Sequence, residues 1–152
     1  MKLIAKTLCF ALFVITLNSC NKDSSAPTKM SCAINGTTWT PDARLTVLSG
    51  GFFTITATTA SLSQSSSLVI VIHGTTIGTY TFNPLQAQTQ CEVTYTPSLL
   101  SPTETYLGET GSVKLTKVDQ TAKEISGTFQ FTLINGTTIT SGQFNGLQYQ
   151  QN

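Results

Sequence analysis

The chain has 152 residues, enough for one domain and hardly for two. Only 10% of them are charged and the formal net charge is +1. That excludes a nucleic-acid binder built on clustered Lys and Arg, and equally an acidic tail or charge-rich disordered segment. Small hydroxyl side chains stand where charges would: 28 Thr and 15 Ser fill 43 of the 152 positions.

Residues 1–19 read as a leader. Lys2 and Lys6 form a positive start, and Leu8 to Leu17 is a ten-residue run broken only by Thr16. A spanning helix needs roughly 20 apolar residues, so this run fits the apolar region of a cleaved signal. Leu17-Asn18-Ser19-Cys20 resembles the bacterial lipoprotein signal. That resemblance implies a diacylglyceryl group on the Cys20 thiol, cleavage before Cys20, and acylation of the new amino terminus. One acyl chain anchors marginally; several together hold firmly. Residues 20–29 then form a lipidated polar tether, and 30–152 a single β domain. Asn21-Lys22-Asp23 carries no inner-membrane retention signal, so the expected address is the outer membrane, facing the periplasm or the cell surface. Losing residues 1–19 removes two lysines and leaves six basic against seven acidic side chains.

The remaining elements follow in chain order. Ser31–Ile34 and Thr37–Thr40 flank Asn35-Gly36, the dipeptide of a type I′ hairpin. Ala43–Leu48 leads through Ser49-Gly50-Gly51 into Phe52–Thr59, where Phe53, Ile55 and Ala57 alternate with threonines, the pattern of a half-buried strand. Ser61–Ser67 is a serine-rich loop. Leu68–His73 is apolar on both faces and predicts a central strand covered on both sides. Gly78–Phe82 and Gln88–Tyr95 are strands separated at Asn83-Pro84. Thr96–Thr110, with two prolines and Gly108, predicts a long connection. Ser112–Val118 and Ile125–Ile134 are strands, Asn135-Gly136 a second hairpin turn into Thr137–Phe144, and Asn145-Gly146 a closing turn. Nine or ten short strands without helical periodicity predict an antiparallel β-sandwich, with a closed, up-and-down, calycin-like barrel as the alternative. Ile-Asn-Gly-Thr-Thr occurs at 34–38 and again at 134–138, which reads as convergent hairpin chemistry.

Of four cysteines, Cys9 leaves with the leader and Cys20 takes lipid. Cys32 and Cys91 alternate with apolar neighbours and point inward. They are a candidate disulfide, which over this span would stabilise by at most about 4 kcal/mol. The alternative is two separate buried thiols.

The inventory for catalysis is thin. His73 is the single histidine, and no G-x-S-x-G surrounds a candidate nucleophile. The body's acids, Asp42, Glu92, Glu104, Glu109, Asp119 and Glu124, lie at least five residues apart. Neither a phosphate loop nor a metal-binding motif is present. No catalytic residues, cofactor or metal are expected. Trp39, Phe52 and Tyr106 are the candidate ligand-binding residues, since exposed rings stack on sugars or apolar ligands.

The carriers of a family resemblance are the segment ending at Cys20, Met30-Ser31-Cys32-Ala33-Ile34-Asn35-Gly36-Thr37-Thr38-Trp39, Gly78-Thr79-Tyr80-Thr81-Phe82, Gly111-Ser112-Val113-Lys114-Leu115-Thr116, Ile125-Ser126-Gly127-Thr128-Phe129-Gln130-Phe131 and Ile139-Thr140-Ser141-Gly142-Gln143-Phe144. Over the whole chain these resemble small lipoproteins of Bacteroidota-type bacteria known as a domain of unknown function. The resemblance implies an envelope lipoprotein with a β-rich body and supplies no substrate. The expected role is a non-catalytic interaction or accessory module, membrane-held by its lipid, with an envelope protein or glycan as partner and no nucleic acid. The alternative is a small-molecule or glycan binder using a barrel cavity or an aromatic patch. Replacing Cys20 with Ser should abolish metabolic labelling by fatty acid; label persisting on the variant would refute the anchor.

Overall fold

The computed structural model describes residues 29–60, 65–83, 90–100 and 104–152. The leader, Cys20 and most of the tether lie outside the described residues, as do parts of the serine-rich loop, of the connection after Asn83 and of the connection after Leu100. Ten strands follow in order: β1 (Met30–Ile34), β2 (Thr37–Trp39), β3 (Ala43–Ser49), β4 (Phe52–Thr58), β5 (Ser67–Ile72), β6 (Gly78–Phe82), β7 (Cys91–Thr96), β8 (Tyr106–Asp119), β9 (Glu124–Leu133) and β10 (Thr138–Gln151). Seven of them close a ring in the order β10-β3-β4-β5-β7-β8-β9 and back to β10. The β1–β2 hairpin adds beside the first half of β10, and β6 beside the middle of β8.

The barrel, not the sandwich, is therefore the architecture adopted. It is not up-and-down: β10 runs parallel to β3, with Tyr149 opposite Thr46, while the other pairings are antiparallel. Strand length explains the closure. β8 and β10 each have 14 residues, twice the length of β4. At about 3.3 Å per residue each extends roughly 46 Å, enough to serve two sheets in succession.

The partner exchanges occur at corners marked by glycine. β10 pairs with β1 as far as Phe144 and with β3 from Tyr149. Between them its register against β9 shifts, and Gly146 takes φ 56°. Asn145-Gly146 is thus a bulge inside a continuous strand and not the turn expected from its composition. The bulge is held by Asn145 N donating to Lys29 O and Gly146 N donating to Ser126 Oγ, both at 2.9 Å. Likewise β8 pairs with β7 at Tyr106 and Leu107, then with β6 from Gly111 onward. The connection expected over Thr96–Thr110 is correspondingly shorter, and Gly108 serves a corner where a β-carbon would meet Val93 Cγ1 at 2.8 Å.

The two Asn-Gly turns differ. Asn35 and Gly36 have φ 49° and 78°, as a type I′ turn requires. At the other turn only Gly136 is positive, at 81°, and Gly136 N donates to Leu133 O at 2.8 Å, a longer connection. The two copies of the repeated pentapeptide meet in space. Asn35 N donates to Thr138 O, and Asn35 Oδ1 accepts from Thr138 N, each at 2.9 Å. The Asn35 side chain thereby extends the β1–β10 ladder beyond its last backbone pair.

Inward positions of every strand fill the barrel. Phe53, Ile55, Leu68, Ile70, Ile72, Val113, Leu115, Ile125, Leu133, Ile139 and Phe144 are fully buried. Each such side chain contributes about 1.5–3 kcal/mol by leaving water. The expected covering of both faces of β5 is corrected: Leu68, Ile70 and Ile72 are buried, but Val69 and Val71 are half-exposed, since the β5 contacts are to its own sheet neighbours β4 and β7.

Phe144→Ala should destabilise the fold by about 3–5 kcal/mol. Gly111→Ala, whose new methyl would overlap the Phe131 ring and the Gln130 carbonyl at φ 154°, should cost about 1–3 kcal/mol. Urea denaturation followed by β-sheet circular dichroism checks both.

Candidate functional site

One end of the barrel gathers aromatic rings. Trp39 lies opposite Cys32 in the β1–β2 hairpin. Its Nε1 donates to Ser66 Oγ at 2.8 Å. Ser66, almost fully buried just before β5, also has Thr59 Oγ1 2.9 Å from its hydroxyl and donates its backbone N–H to that oxygen at 2.8 Å. Tyr95 bonds to the same serine; burial pushes its hydroxyl pKa up, and the Ser66 bond acts the other way. Ile34, Trp39, Ser66, Tyr95 and Pro97 line a cleft of about 220 Å³.

Tyr106 stands opposite Tyr95 in the β7–β8 register and donates its hydroxyl to Glu104 at 3.3 Å. It belongs to a strand and not, as expected, to a long loop. Phe52 begins β4 at the other end of the barrel, 45% exposed, its ring edge-on to His73 at 4.9 Å. The three candidate ligand-binding residues therefore do not form one patch. Trp39 and Tyr106 approach the same mouth through Tyr95, whereas Phe52 is separate. Sequence reasoning missed Ser66, which no spacing distinguishes from its serine neighbours. Tyr95 was legible as an inward residue after Cys91 and Val93.

His73 Nε2 is 3.3 Å from Glu92 Oε1 on the outer surface. Among the described residues no group of three metal-ligating side chains gathers there or elsewhere. Hydroxyls dominate the Trp39 cleft, and its lining carries no carboxylate or imidazole. It offers hydrogen bonds and ring surface to a ligand, without a general base.

The outer wall over β3, β4, β5, β7 and β8 alternates leucine and valine with threonine. Leu45, Thr56, Val69, Thr94 and Leu107 lie in one cross-strand row. Leu45 is 50% exposed and Leu107 55%; Ile134, whose N–H donates to Leu107 O at 3.0 Å, is 61% exposed. A parallel row runs Val47, Thr54, Val71 and Glu92.

Cys32 and Cys91 point inward as expected, but both are free thiols. Cys91 Sγ donates to Tyr80 O at 3.2 Å, whereas Cys32 lies opposite Trp39 in the β1–β2 hairpin. The arrangement described is the alternative to the candidate disulfide, two separate buried thiols. Burial pushes Cys32 up to about 12 and Cys91 to about 11, from an ordinary value of 9.0.

The family described as a domain of unknown function (DUF6252) matches residues 27–150. No curated protein and no solved structure matches the chain.

Two outcomes follow for the thiols. A thiol reagent should modify neither Cys32 nor Cys91 in the native barrel and both in denaturant. Between their unfolded and folded pKa values the folded chain binds more protons, so stability should fall as pH rises above about 9 towards 11 and 12. Cys32→Ala with Cys91→Ala should flatten that fall in pH-dependent urea titrations.

Proposed function

The chain belongs to the DUF6252 family, and from that premise we propose that it is a lipid-anchored, non-catalytic module of the cell envelope, held at the outer membrane through Cys20. It acts by presenting the apolar wall of its barrel to a partner protein. The observation that carries this reading is the uncovered row from Leu45 to Leu107 with Ile134 beside it. A strand patterned like β5, apolar on both faces, is ordinarily covered on both, and exposed apolar surface of this kind marks interaction sites. The alternating threonines keep the wall soluble while it waits for its partner. Lipid at residue 20 and a short polar tether keep the wall near the membrane, where the partner would be held by effective concentration as well as by contact area.

The Trp39 cleft supports the reading of a small-molecule binder less well. Ser66 already occupies the indole N–H, so the ring is fixed as part of the wall.

The test is site-specific photo-crosslinking in intact cells. A photoreactive residue at Val69 should give one discrete adduct, while the same group at Lys123 gives none. Leu45→Glu with Leu107→Glu should abolish the adduct and leave the melting temperature within a few degrees. An adduct surviving those charges, or none from Val69, would overturn the proposal; an adduct of twice the chain's own mass would identify the partner as a second copy.

A further inference from the structure

The opposite wall of the barrel, over β6, β8, β9 and β10, has a different chemistry. Its outward side chains are aligned by register: Thr79 faces Lys114, Lys114 faces Thr128, and Thr128 faces Gln143. Ser112 and Gln130 form the next row. The β10 register shifts between Ile139 and Gly142, and Ser141 takes φ 52°. Gly142 stands opposite Phe129 without a side chain, where a β-carbon would overlap that ring. Beside the bulge the wall forms a groove of about 540 Å³.

We propose that this groove binds an acidic oligosaccharide. Its rim offers the hydroxyls of Thr79, Ser112, Thr128 and Ser141, the amides of Gln130 and Gln143, and the Lys114 ammonium. No carboxylate is among the lining residues. Gln143 Nε2 donates to Ser31 Oγ at 3.2 Å; among the described residues the other groups take no side-chain partner. The contrast with Lys117 is informative. Three residues further along β8, that lysine has Asp119 and Glu124 at 3.4 Å, while Lys114 has no carboxylate partner among the described residues and stands beside a row of hydroxyls.

The ligand must complement this set. Dense hydroxyls and amides call for a polyhydroxylated molecule, because each donor or acceptor given up to an apolar ligand would lose its water without replacement. A single cation calls for one anionic group within reach, too little for a nucleic acid. The aligned rows cross four strands about 4.8 Å apart, roughly 14 Å, the footprint of a short oligomer. A peptide strand is disfavoured, since β8 and β9 are already paired on both sides at this level and have no free backbone to share. This inference uses a different surface from the protein-binding wall, so either can fail alone.

The test is the full chain, purified in detergent, on an array of uronate-, sialate- and phosphate-bearing oligosaccharides beside neutral ones. Acidic members should be retained over neutral ones and released as salt rises. Isothermal titration with the best-retained oligosaccharide should then show Lys114→Ala and Gln130→Ala each weakening binding roughly tenfold. Lys123→Ala, outside the groove, should leave it unchanged, as should Leu45→Glu with Leu107→Glu on the other wall. Retention of no acidic member, equal retention of neutral ones, or unchanged affinity in Lys114→Ala would overturn the proposal.

Discussion

Closure by strand sharing is the constraint on which the molecule rests. Two strands long enough to belong to two sheets tie those sheets into one ring, and each must bend where it changes partner. A bend in a ladder needs one residue more on one side than on the other, and a backbone conformation that most side chains resist. Gly146 and the Gly108–Gly111 stretch supply both. With the ring closed, the inward half of the alternation finds a common interior, and the outward half is sorted onto walls according to strand membership.

That sorting makes a barrel with two kinds of outside. Valine and leucine alternate with threonine on the wall of β3, β4, β5 and β7, while hydroxyl, amide and one ammonium occupy the wall of β6, β8, β9 and β10. Solubility on both rests on hydroxyls, which hydrogen-bond water without the long, strongly hydrated side chains that blunt a contact surface.

How much of this was legible in the sequence differs by feature. Alternation in Phe52–Thr59 and in Ile125–Ile134 fixed which residues face inward, since a period of two has one solution when a side is buried. Asn35-Gly36 announced its turn. Asn145-Gly146 carries the same dipeptide and the same composition, yet becomes a bulge, because the strand had a second partner, β3, whose residues lie a hundred positions earlier. Glycine marks the corner, but nothing local names the new partner. For the same reason the sequence could not rank barrel above sandwich, although it placed the strands. Trp39, Phe52 and Tyr106 were legible as rings, but their grouping depended on which end of the barrel each strand terminates at. The groove on the far wall was written only as scattered Thr, Ser and Gln; register assembles it, and register is not a property of any one segment.

The fourteen residues of β10 hold β9 along one edge and β1 and then β3 along the other. This strand is the last in chain order. Three earlier strands, β1, β3 and β9, paired along one edge with β2, β4 and β8, thus keep the other edge open until this strand is in place. Such long-range pairing makes for slow assembly, because distant ends must be brought together before the contact rewards them. The barrel is therefore completed from its tail, and a shortened product would keep its hairpins while losing the seam that joins them.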